Sequence, residues 1–200
     1  MPRPTLLLYL HGFLSSPHSH KATQTADFCA SNASIDVLLI PELPWGPAIA
    51  LEFLHTQIQD HSDSDILLIG SSLGGFYASV LAEEYSVPAA LINPAVRPWE
   101  YWRTHLGRHK HFYSDDTLEV TEQHVAELRQ MDKGQVSQPD NFLLLVETGD
   151  ETLDCRRALD CFAESPKIVR EGGSHSYENY AADLPAIIEF LLSRIDKSAR

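Results

Sequence analysis

The sequence predicts an α/β fold: a compact, mostly parallel six-stranded doubly wound sheet with a helical lid insertion. Three observations predict it. Short apolar runs alternate with amphipathic stretches from residue 5 onward, the order that builds a parallel sheet with helices on both faces. The runs are almost continuously apolar, as in Leu6-Leu7-Leu8-Tyr9-Leu10, which suits strands covered on both sides. The alternation breaks once, over 97–137, where amphipathic patches contain no convincing strand.

Taken in order, 5–10 is the first strand, 20–30 a helix and 35–40 the second strand, and both strands are expected to be buried. Residues 48–59 place Ile49, Phe53 and Leu54 on one helical stripe. The third strand, 65–70, runs directly into a helix over 73–85, and 89–93 forms the fourth. After the insertion come a strand at 142–147, a helix near 154–163, a strand at 167–170 and a final helix over about 183–195. No repeat, low-complexity segment or linker interrupts the chain. Its 200 residues, 44% of them hydrophobic, therefore read as one domain spanning 1–200.

Fifteen Lys and Arg stand against 28 Asp and Glu, a formal net charge of −13. That balance repels polyanions and removes the phosphate attraction on which nucleic-acid binding rests. No apolar run approaches the length of a membrane span. The run after Arg3 is too short for a signal-peptide core and lacks a small-residue cleavage site. Cys29, Cys155 and Cys161 are odd in number and have no metal-like or redox spacing, so they read as reduced packing residues of a cytoplasmic protein. No metal or organic cofactor is expected.

The third strand ends Ile69-Gly70-Ser71-Ser72-Leu73-Gly74-Gly75, a G-x-S-x-G nucleophile elbow between strand and helix. The turn strains the serine backbone and crowds the residues two positions to either side, hence Gly70 and Gly74. Ser71 is out of frame, since its flanks would be Ile69 and Leu73. A serine hydroxyl needs a base. Among ten histidines, His175 follows the last strand in Gly172-Gly173-Ser174-His175, where two glycines permit a tight loop. The orienting acid should end the preceding strand, where Thr148-Gly149-Asp150-Glu151 makes Asp150 the best placed and Asp154 the alternative. Oxyanion donors are expected at the Leu73 N–H and, after the first strand, at the Phe13 N–H in His11-Gly12-Phe13-Leu14.

Five blocks carry a resemblance: Leu10-His11-Gly12-Phe13, Gly70-Ser71-Ser72-Leu73-Gly74-Gly75-Phe76-Tyr77, Asn93-Pro94-Ala95-Val96-Arg97-Pro98, Gly149-Asp150-Glu151 with Leu153-Asp154, and Gly172-Gly173-Ser174-His175. Together they resemble the YqiA-like bacterial esterase family of the α/β-hydrolase superfamily, over about residues 5–190. The resemblance implies an α/β-hydrolase fold, hydrolysis of a small-molecule carboxylic ester or thioester without metal or cofactor, and a triad on Ser72, Asp150 and His175. It does not extend to substrate choice in the insertion.

Residues 97–113 gather five aromatics and four Lys or Arg against one acid. In a lid, Trp99, Tyr101, Trp102, Phe112 and Tyr113 would wall an acyl pocket, and Arg103, Arg108 and Lys110 would draw in an anionic group. The alternative is a cap whose aromatics pack on the core and whose charges face water. His11, Trp99 and Trp102 are the candidate substrate-binding residues. Two other functions compete with the esterase: a non-catalytic binding protein of the same fold, and a C–C or amide hydrolase using the same triad.

Overall fold

The computed structural model describes residues 3–195. Six parallel strands form the main sheet: β1 (Thr5–Leu10), β2 (Val37–Leu39), β3 (Asp65–Ser71), β4 (Ala89–Ile92), β7 (Phe142–Glu147) and β8 (Lys167–Arg170). Their spatial order is β2-β1-β3-β4-β7-β8. β1 pairs with β3 from Thr5↔Asp65 to Leu10↔Gly70, and β4 with β7 from Ala89↔Phe142 to Ile92↔Leu145. This register brings the carboxyl ends of β1, β3, β4 and β7 to one rim, where an open α/β sheet presents its chemistry.

The period-2 geometry of a strand splits each apolar run between two cores. Leu6, Leu8 and Leu10 face the side covered by α2 (Pro47–Asp60), α3 (Leu73–Tyr85) and α6 (Cys155–Cys161). Leu7 and Tyr9 face α1 (His20–Ala30) and α7 (Tyr180–Ile195). β1, β3, β4 and β7 are buried almost throughout. β2 departs from expectation: it is three residues long and half-buried, because it ends the sheet and has a strand neighbour on one side only.

The insertion also departs from expectation. It is not purely helical: between α4 (Pro98–Trp102) and α5 (Glu122–Met131) lies an antiparallel hairpin of β5 (Gly107–Lys110) and β6 (Thr117–Val120). α4 and α5 pack on each other, and α5 also packs on α2. The hairpin turn is tied down over the end of β1, where the Phe112 N–H donates to the Leu14 carbonyl (3.1 Å) and His111 Nε2 donates to the Ser15 carbonyl (3.0 Å). No helix among the described residues is long and apolar enough to cross a membrane.

Candidate active site

Ser72 stands between β3 and α3 with φ 55° and ψ −119°, a left-handed conformation that costs a non-glycine residue about 1–3 kcal/mol. Its neighbours explain how the strain is held. A Cβ on Gly70 would strike the Gly74 backbone, and one on Gly74 would strike the carbonyls of Leu10 and His11. Only glycine lets the elbow close against the end of β1.

Ser72 Oγ lies 3.0 Å from His175 Nε2, and His175 Nδ1 lies 2.8 Å from Asp150 Oδ2. The Asp150 side chain is almost fully buried, 2% exposed, against 23% for His175. Burial is the largest influence on the Asp150 pKa and opposes its charge. The His175 hydrogen bond and the N–H groups of Leu153 and Thr152, each 2.8 Å from Oδ1, outweigh it and hold the carboxyl below its ordinary range. With an ionised acceptor at Nδ1, the imidazole carries its proton there and leaves Nε2 free to accept from the Ser72 hydroxyl. Asp154 does not reach this group. It caps α6, accepting the Arg156 N–H at 3.1 Å, and pairs with the Arg156 guanidinium at 2.7 Å.

The loop that carries His175 is held by residues for which the sequence assigns no role. Glu147, the last residue of β7, is completely buried. Its carboxylate accepts the N–H groups of Ser174 (2.8 Å), Glu178 (2.9 Å) and Asn179 (3.0 Å) and the Asn179 side-chain amide (2.8 Å). Burial alone would raise its pKa, but these donors together lower it. Asn93, with φ 40°, donates to the carbonyls of Ser174 (3.0 Å) and His175 (3.2 Å) and accepts the Glu147 N–H (3.0 Å). A Cβ at Gly173 would collide with the Glu147 carboxylate. The available signal is a carboxylate closing an otherwise apolar strand, whereas its partners lie some thirty residues onward and leave no local pattern.

Two cavities adjoin at the Gly12–Phe13 turn beside Ser72. One, of about 310 Å³, is walled by Phe13, Trp45, Leu73, Tyr77 and Trp102. Trp45 and Trp102 stack with centroids 5.9 Å apart, and Phe13 lies 4.8 Å from Trp102. The other, of about 320 Å³, holds Ser72 and His175. Gly12 and Phe13 line both, and a Cβ on Gly12 would come within 3.2 Å of Ser72 Cβ. The Phe13 turn thus borders the cavity that holds Ser72, while Leu73, the next residue and the first of α3, lines the aromatic one.

The candidate substrate-binding residues divide. Trp102 is buried in the cavity wall, whereas Trp99 packs against the core and is not among the residues lining that cavity. His11 borders the cavity, but both its nitrogens are occupied: Nε2 accepts the Leu43 N–H (3.3 Å) and Nδ1 donates to the Gly12 carbonyl (3.0 Å). Burial lowers its pKa, so it acts as a neutral brace between the Gly12 turn and Leu43. The basic segment is not an isolated cationic patch either. Arg108 faces Glu119 across the hairpin, Lys110 lies 3.3 Å from Asp115 and Arg97 lies 3.9 Å from Glu100. Arg103, Arg108 and Lys110 line neither cavity.

Sheet order, elbow and flanking helices define an α/β-hydrolase fold, and solved structures share it. Est1E from Butyrivibrio proteoclasticus superposes with a TM-score of 0.72 at 17% identity, over 98% of this chain and 90% of that one. The mouse alpha/beta hydrolase domain-containing protein 10 gives 0.73 at 17%, over 98% and 92%. An α/β serine hydrolase without a lid from Xanthomonas campestris gives 0.63 at 15%, over 96% and 83%. Residues 6–192 match the family described as "Uncharacterised protein family (UPF0227)", and the chain belongs to it. Curated relatives include a UPF0227 protein of Pectobacterium atrosepticum, 27% identical, and the UPF0227 protein YcfP of Salmonella gallinarum, 25% identical. Each alignment covers 92% of this chain and 98% of the relative. The YqiA-like resemblance is borne out at the level of the family.

Proposed function

We propose that this protein is a serine hydrolase that cleaves carboxylic esters or thioesters of modest-sized acyl groups through an acyl-enzyme intermediate. The carrying observation is the unbroken hydrogen-bonded chain Asp150–His175–Ser72 at the carboxyl rim of the sheet. Ser72 Oγ attacks the carbonyl carbon while its proton passes to His175 Nε2, and Asp150 stabilises the resulting imidazolium. The charge on the carbonyl oxygen meets the Leu73 and Phe13 N–H groups, donors of a kind worth about 2.7–4 kcal/mol each. His175 then protonates the departing alkoxide or thiolate as the acyl–oxygen or acyl–sulfur bond breaks. A water attacks the acyl-enzyme by the same route, its proton going to His175 and then to Ser72 as the carboxylic acid leaves.

The aromatic cavity beside Leu73 supports an apolar acyl group of modest size, since about 310 Å³ lies at the small end of ligand pockets. A cytoplasmic setting belongs to the same reading and is supported by the free cysteines Cys29, Cys155 and Cys161. The test is covalent labelling. A fluorophosphonate is expected to modify Ser72 stoichiometrically, and Ser72→Ala to lose both labelling and at least about a thousandfold of kcat on an activated ester. Labelling elsewhere, or turnover by the alanine variant near the wild-type rate, would remove the assignment.

A further inference from the structure

The two cavities that adjoin at the Gly12–Phe13 turn differ in charge. The aromatic one has Glu42 and Asp116 in its wall. The one containing His175 has no carboxylate among its lining residues, although the chain carries a net charge of −13. It has Lys21 instead. The Lys21 ammonium donates one hydrogen bond, to the Ser176 carbonyl at 2.7 Å, immediately beyond His175. Among the described residues no carboxylate pairs with it, and two of its three donors have no hydrogen-bond partner. Lys21 also sits in the first turn of α1, where the helix dipole opposes a positive charge. Burial pulls its pKa down to about 8, against the charges of Glu147 and Asp150, and it remains mostly protonated at neutral pH. A half-buried cation in an acid-free cavity beside a candidate nucleophile is an electrostatic cost that an anion would offset.

The proposed chemistry assigns each cavity a part of the substrate. The leaving group must lie within reach of His175, because that imidazole protonates it, and His175 lines only the Lys21 cavity of the two. We propose that the natural substrate carries a carboxylate or phosphate on its alcohol or thiol portion, and that Lys21 binds this group while the acyl chain enters the aromatic cavity. This rests on the serine-hydrolase reading above. Phe112 and Tyr113 also line the Lys21 cavity and give the body of such a leaving group an aromatic surface.

The test compares kcat/KM for 4-carboxyphenyl butyrate with its uncharged 4-carbamoylphenyl analogue, in wild type, Lys21→Gln and Lys21→Arg. The hemisuccinate ester of the uncharged 4-carbamoylphenol places the charge on the acyl side instead, and a phosphate-bearing phenol distinguishes the two anions. Wild type is expected to favour a charged leaving group by about tenfold or more. Lys21→Gln should bring the ratio near unity, Lys21→Arg should keep a preference, and an acyl-side charge should give none. A ratio near unity in wild type, a ratio that survives Lys21→Gln, or equal loss on both esters would overturn the proposal. Fluorophosphonate labelling of Ser72 in the same samples separates the readings: labelled enzyme without the charge preference rejects the Lys21 role alone, and absence of labelling and turnover rejects both.

Discussion

Asp150 and Asp154 lie four residues apart in one loop and helix start, yet they meet different partners. Asp150 is buried against His175, while Asp154 is exposed and spends its oxygens on the first turn of α6 and on Arg156. Asp150→Asn is therefore expected to lower kcat by about 10⁴, since an amide in that place favours the wrong imidazole tautomer and removes the charge that balances the imidazolium. Asp154→Ala should leave kcat within a few-fold and lower stability by about 1 kcal/mol, the usual loss of a helix cap. Steady-state kinetics and urea melts on the two variants decide it, and a larger kcat loss for Asp154→Ala would reverse the roles. The depressed pKa of Asp150 has a stability consequence of definite sign: the contribution is present above the ordinary carboxylate range and is lost as the pH falls through the lowered value.

At the scale of elements, legibility follows the strength of the local pattern. β1, β7 and β8, like α1 and α3, match their sequence bounds: the buried strands β1 and β7 and the helices that cover the sheet each leave a continuous signal, whereas β8, mostly exposed, is marked only by its Ile168-Val169 pair. β5 and β6 leave none. Each has four residues, Gly-Arg-His-Lys and Thr-Leu-Glu-Val, and at most one is fully buried, so their pairing depends on each other and on the Leu14–Ser15 backbone. Ser72, His175 and Asp150 were within reach of sequence reasoning because strand ends and glycines mark their positions. Glu147, Asn93 and the bracing role of His11 depend on partners distant in sequence and were not. The insertion yields its own prediction. Trp102 joins α4 to Phe13 and Trp45 and is 3% exposed, so Trp102→Ala should destabilise the fold by about 3–5 kcal/mol. It should also shift the preferred acyl chain towards longer esters by opening the aromatic cavity. Thermal melts and a chain-length series measure both, and an unchanged chain-length optimum would place Trp102 outside acyl selection.

At the scale of the whole molecule, the net charge of −13 competes with any local positive field. Arg103, Arg108 and Lys110 read along the sequence as a basic stretch, but the hairpin folds Glu119 and Asp115 against two of them, which shortens the range of the field they can project. An approaching anionic ester should therefore meet net repulsion until it reaches the cavity, where Lys21 acts at close range and salt screens it less. Raising ionic strength from about 0.01 M to about 0.2 M shortens the Debye length from about 30 Å to under 10 Å. Over that range kcat/KM for an anionic ester should rise by about two- to threefold while that of a neutral ester of equal size stays level. Neutralising Arg103, Arg108 and Lys110 together to Gln should leave the sign of that salt response unchanged, because the global charge sets it and those three side chains line neither cavity. The measurement is kcat/KM for the matched pair across a salt series, in wild type and in the triple variant. A fall with salt in wild type that disappears in the triple variant would show that the insertion steers anions after all, and that the hairpin acids fail to cancel it.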